Sequence, residues 1–149
     1  MSLYYQHNGL KVITSKLLLS PTDSMSGRRR VYRLTAPFTV MIKATGVNST
    51  IRVPKDFDTD LATIPLIAQV FIGSRDDRGV AEAAVVHDWL CVQDAPRVYA
   101  NSTMYYLLLA MSVPRWRAAA IFSALQLFGY KSIPSRLWRR VKELCSLET

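Results

Sequence analysis

The sequence predicts an α+β domain, a small N-terminal antiparallel β-sheet followed by a cluster of about four helices. Three observations lead there. Between Val31 and Val53, β-branched and aromatic residues come in short runs broken by Pro37 and by Gly46-Val47-Asn48-Ser49, the pattern of strands and turns. From Val80 onward apolar residues recur at helical spacing, and Pro114, Gly129 and Pro134 stand where helices start and stop. Strands first and helices afterwards define the α+β class. At 149 residues, half of them apolar or aromatic, the chain is long enough for one core and is expected to form a single domain over 1–149.

Residues 1–30 form an irregular N-terminal segment. Leu10, Val12 and Ile13, then Leu17–Leu19, suit short strands or one docking segment. Ser20–Gly27 reads as a loop from its turn formers. Val31–Thr35, Phe38–Ile42 and Thr50–Val53 read as strands, the last two as an antiparallel hairpin. Pro54 lacks the amide a sheet ladder needs, so the last strand stops before it. Asp60 suits a helix N-cap, but Pro65 disfavours helix at Ile64 and leaves a turn or a single helical turn there. Leu66–Ile72 suits a short helix or a buried loop, and Gly73–Gly79 a flexible polar connection. Val80–Val92 is a helix. Asn101–Met111 is apolar nearly all round and is expected to be the central buried helix. Arg115–Phe128 is a third helix. A fourth opens at Pro134, with Leu137, Trp138, Val141 and Leu144 inward and Arg136, Arg139, Arg140 and Lys142 outward.

Composition narrows the classes of function. The N-terminus lacks the basic-then-apolar layout of a signal peptide. The longest apolar runs, Tyr105–Met111 and Ala118–Phe122, fall short of the roughly 18 residues that span a bilayer. A soluble protein, or one delivered within a larger particle, is expected. Cys91 and Cys145 have no metal-type spacing; reduced thiols are the plain reading, and a disulfide between them stays open. The net charge is +8, concentrated at Arg28–Arg30 and in the C-terminal third. Such a face attracts nucleic acid, anionic lipid or an acidic protein, although a solvated, solubilising face accounts for it more simply.

The stretch Val53–Asp88 holds the candidate chemistry. Thr59, Asp60 and Thr63 at one end, and His87-Asp88 at the other, are polar residues set among apolar ones. Buried, they need partners, so the two ends are expected to meet. His87 has the residue type of a general base, and Asp88 or Asp60 that of its orienting carboxylate or of a cation ligand. Asp56 and Asp58 are expected to be exposed. Adjacent helical residues point about 100° apart, so His87 and Asp88 have different tasks. The same set serves equally as a structural knot between sheet and helices.

Sharper chemistries fit less well. A metal phosphohydrolase needs further His and Asp ligands, and His7 is the other histidine. Ser74 and Cys91 lack a motif that activates a nucleophile. There is no Gly-rich phosphate loop, nor a calcium loop of the kind secreted phospholipases pair with His-Asp. Trp89, Tyr105 and Tyr106 read as core or pocket wall. Trp116 and Trp138 stand beside arginines and are expected to pack with a cation over the ring.

Val53-Pro54-x-x-Phe57-x-Thr59-Asp60-Leu61-Ala62-Thr63-Ile64-Pro65, then Ala84-Val85-Val86-His87-Asp88-Trp89-Leu90, then Met111-Ser112-Val113-Pro114-Arg115-Trp116-Arg117-Ala118 through Phe128-Gly129, together resemble the family of the domain of unknown function 1353. Its pattern reads V-P-x-G-F-x-T-D-x-A-S-I-P, then A-x-x-H-D-x-L-Y, then V-P-x-W-R-A and F-G. The resemblance covers roughly 31–130, leaving 131–149 as a basic C-terminal helix. Asp56 stands where the pattern has Gly, Thr63 where it has Ser, Cys91 where Tyr is frequent and Asn101 where Asp is usual. The resemblance implies origin in a tailed phage or prophage and attaches no reaction.

The expectation is therefore a phage-encoded accessory or virion- or tail-associated protein that acts by binding, located in the host cytoplasm or the particle. Its partner is a phage or host protein, with nucleic acid an option for the basic face. Thr59, Thr63, Asn101, Arg136, Arg139 and Arg140 are the candidate binding residues. The alternative is a small hydrolase of cell-wall or nucleotide material using Asp60, His87 and Asp88, with a divalent metal left open as cofactor. A weaker third reading is an inhibitor of a host nucleic-acid enzyme.

Overall fold

In the computed structural model, residues 2–27, 29–61 and 78–128 are described. They form two antiparallel sheets and three helices, an α+β arrangement. The strands are β1 (Leu3–His7), β2 (Leu10–Thr14), β3 (Leu19–Ser26), β4 (Arg29–Leu34), β5 (Phe38–Ala44), β6 (Val47–Val53) and β7 (Asp58–Thr59). The helices are α1 (Arg78–Val92), α2 (Arg97–Ala110) and α3 (Arg115–Phe128). The fourth helix expected from Pro134, the turn expected at Thr63–Pro65 and the apolar segment Leu66–Ile72 lie outside the described residues.

One sheet has the order β1-β2-β5-β6 and the other β3-β4-β7. The expected hairpin is β5–β6, with Phe38 opposite Val53 and Val40 opposite Ile51. The period-two rule sets which face of the sheet is buried: Val12, Phe38, Val40, Ile51 and Val53 point into the core, where they meet Ala83, Val86, Leu107 and Leu108 of the helices. β6 ends at Val53, before Pro54.

Three expectations are corrected. Ser20–Gly27 is not a loop: most of it is β3, antiparallel to β4 with a register shift between Pro21 and Met25. β3 lies at a sheet edge, where a proline without an amide is tolerated, and its largely exposed residues leave no apolar alternation to read. Gly79 is not part of a loop but sits in the first turn of α1, because its lack of a side chain admits Met111: a Cβ there would come within 2.8 Å of the Met111 Cβ. The most enclosed helix is α1, buried at nearly every position from Gly79 to His87. α2 packs between α1 and α3 and against β1 and β2, yet Val98, Tyr99 and Tyr106 leave one of its faces exposed.

Helix ends have visible causes. α1 is closed by Asp94 in a left-handed conformation (φ 55°), with the Ala95 amide donating to the Leu90 carbonyl. α2 is closed the same way by Ser112 (φ 65°), with the Val113 amide on Leu108. α3 begins after Pro114, whose carbonyl accepts the first helical bond from Ala118.

Candidate functional site

The approach to the site is fixed by β4. The Leu34 amide donates to the Phe57 carbonyl and the Asp56 amide to the Leu34 carbonyl, both at 2.9 Å. Arg33 and Asp58 face each other across β4 and β7. The guanidinium donates through Nε to Oδ1 at 2.7 Å and through Nη2 to Oδ2 at 2.9 Å. This fork-to-fork pair holds the Arg33 pKa up and has the geometry in which arginine and carboxylate bind best. Asp58 is therefore buried, against the expectation that it is exposed. Asp56 is exposed as expected. It has φ 69°, a conformation that glycine adopts freely and aspartate tolerates, which accounts for aspartate standing where the family pattern has glycine.

The two ends of the Val53–Asp88 stretch do meet. The Thr59 hydroxyl donates to Asp88 Oδ2 at 2.6 Å and accepts the Leu61 amide at 3.1 Å. That second bond closes a tight turn over Asp60, with Leu61 at φ 55°. Beside it the Trp89 ring meets Phe57 edge-on, centroids 5.4 Å apart. Asp60 is half-buried in the turn and has an interaction partner. Thr63, Arg136, Arg139 and Arg140 lie outside the described residues.

His87 points elsewhere. It is 1% exposed, and its Nε2 lies 2.7 Å from Asn101 Oδ1 on α2. The Asn101 amide nitrogen donates to Gln126 Oε1 on α3 at 2.6 Å. With the Asn101 nitrogen so engaged, its oxygen is the acceptor and the imidazole carries its proton on Nε2. Burial, above all, lowers the His87 pKa; the Asn101 bond opposes this and the Arg97 charge adds to it. The ring is thus neutral at physiological pH.

Cys91, one turn along α1, is the partner that reading by motif missed. Its sulfur is 3.7 Å from Nδ1 and 3.8 Å from Nε2. A thiol aligned with one ring nitrogen would be much farther from the other, so the sulfur lies alongside the ring rather than on the Nδ1 lone pair. Burial pushes the thiol up to about 12, with Asp88 adding to the rise. Cys91, His87 and Asn101 thus share the residue types of a thiol-protease triad without its geometry or an ionisable thiol. The signal that could have exposed the pairing is the four-residue spacing of His87 and Cys91 on one helix.

Three more bonds tie the elements around the cluster. Arg97 donates to the Leu125 and Gln126 carbonyls at 2.7 and 2.8 Å, satisfying carbonyls near the end of α3. Tyr5 of β1 donates to the buried Glu82 of α1 at 3.3 Å. Among the described residues no three His, Cys, Asp or Glu side chains gather as metal ligands, Cys91 is a free thiol, and no helix is long and apolar enough to cross a membrane. Trp116 is 62% exposed.

These features define a class: a small α+β protein whose strand-borne turn and helices are joined by buried polar bonds. The match to the family model "Protein of unknown function (DUF1353)" runs over residues 32–125, and the chain belongs to that family. It is also 34% identical over 76 residues to the "Uncharacterized protein y4iH" of Sinorhizobium fredii, a match that covers 50% of this chain and 32% of that relative. The chain thus spans about a third of the relative's length. No solved structure matches.

Proposed function

We propose that the protein acts by binding, as a phage-encoded accessory or virion- or tail-associated protein, and that Thr59, His87, Asp88 and Asn101 serve to hold its surface in shape. The observation that carries this reading is the enclosure of His87. A general base has to reach the proton it removes, whereas this ring is buried with Nε2 committed to Asn101. Asp88 is likewise committed to Thr59. The family resemblance supports the phage setting, and the net charge of +8 supports an acidic partner surface in the phage or host.

The test is to raise antibody to the protein and probe washed particles from an induced host carrying the gene. Retention of the chain with tails or capsids is expected. Its absence from particles, together with purified protein that captures no phage component, overturns the reading. The hydrolytic alternative makes the opposite forecast for the same preparation: turnover of a cell-wall or nucleotide substrate that is lost in His87→Ala and Asp60→Ala variants of unchanged melting temperature.

A further inference from the structure

On the far side of α2 from Asn101 lies a groove of about 610 Å³ between the α2 surface, the β1–β2 turn and the β5–β6 turn. Asn101 and Thr103 are two residues apart, about 200° around the helix, so the groove and the His87 cluster occupy different faces. Its helical wall carries Tyr99, Thr103 and Tyr106, and Arg115 of α3 also lines it.

Four features of this groove point to a ligand. Its volume falls in the range of small-molecule sites. Tyr99 and Tyr106 are 46% and 54% exposed and stand seven residues apart, about 10 Å along the helix. The Tyr106 ring is nevertheless set in orientation: Tyr105 meets it edge-on at 5.6 Å, and Tyr105 is itself held against Phe122 at 5.6 Å. An exposed ring fixed from behind is a stacking surface that needs little ordering on binding. Finally, the charge is one-sided. Arg115 lines the groove, no acidic residue among the described residues does, and the first turn of α3, which begins at Arg115, has no acidic residue either.

We infer that this groove binds a small ligand made of a planar aromatic ring and one anionic group, the ring against Tyr106 and the phosphate or carboxylate at Arg115. Ile42 and Leu109 supply aliphatic surface beside the ring. The inference goes beyond the binding role proposed above and stands on the groove alone, whether or not the protein is carried in a particle.

The test uses the full-length chain with adenosine monophosphate and indole-3-acetate as probes, followed by amide NMR titration and calorimetry. At least one probe is expected to shift the signals of Tyr99, Thr103 and Tyr106. Arg115→Ala and Tyr106→Ala should each weaken it about tenfold or more, as loss of a charged hydrogen bond or a stacking face does. Tyr4→Ala, an exposed tyrosine outside the groove, should leave it unchanged. The phosphate and carboxylate probes tell the two anion sources apart. Adenosine and ribose 5-phosphate, each with half of the recognition elements, should bind more weakly than adenosine monophosphate if that is the probe that binds. If neither probe moves the groove signals at millimolar concentration, or binding survives both substitutions, the inference fails. It fails also if only an oligonucleotide binds, with the steep salt dependence of a backbone contact.

Discussion

What His87 does is decided by its surroundings, with Nε2 on Asn101 and the Cys91 sulfur alongside the ring. Its lowered pKa carries a sign for stability. The unfolded chain takes up a proton near the ordinary 6.5, while the folded ring resists protonation to lower pH. The contribution is complete above 6.5 and is lost as pH falls below it, at up to about 1.4 kcal/mol per pH unit until the folded group titrates. Chemical unfolding of wild type and His87→Gln at about pH 7 and about pH 5 should show a smaller acid loss in the variant. Thr14 presents the opposite case: among the described residues its buried hydroxyl has no hydrogen-bond partner. Thr14→Val keeps the shape and removes the orphan, and should raise stability by about 1 kcal/mol in a thermal melt. The polar residues of Val53–Asp88 were legible in the sequence because small polar side chains among apolar ones need partners. The identity of those partners was not. Asp58 looked exposed because its mate, Arg33, is 25 residues away and meets it only through the β4–β7 register.

At the scale of elements, local signals were the readable ones. The β5–β6 hairpin, the stop at Pro54 and the start of α3 are set by turn residues, proline chemistry and period. β3 was illegible because an exposed edge strand has no buried face to impose alternation, and its pairing with β4 is decided by the partner strand. The start of α1 was obscured by Gly79, a loop former by propensity that tertiary contact places in a helix. Gly79→Ala tests this directly. Helix propensity alone would stabilise it by up to about 1 kcal/mol, but the Met111 side chain occupies the space. A net loss of about 1–3 kcal/mol in urea unfolding is expected. Arg97→Ala removes the bonds to the Leu125 and Gln126 carbonyls and should cost about 1–2 kcal/mol, with faster amide exchange at the end of α3.

At the scale of the molecule, polar joints among the described residues connect the layers: Tyr5 with Glu82, Thr59 with Asp88, Arg97 with the Leu125 and Gln126 carbonyls, and the His87–Asn101–Gln126 chain through α1, α2 and α3. Cys91 is half-buried where the helices meet. The Cys91 thiol, pushed up to about 12, should therefore resist alkylation in native protein at about pH 8 and become reactive with global unfolding. Peptide mapping by mass spectrometry distinguishes it from Cys145. The proposed role of the His87 cluster is to join helices rather than to perform chemistry. Its most direct test is a double-mutant cycle on His87→Ala and Asn101→Ala, read by urea unfolding. The joint predicts that each single variant loses about 2–4 kcal/mol and that the pair is coupled by about 1 kcal/mol or more. Singly substituted proteins as stable as wild type, with no coupling between the two sites, would contradict it.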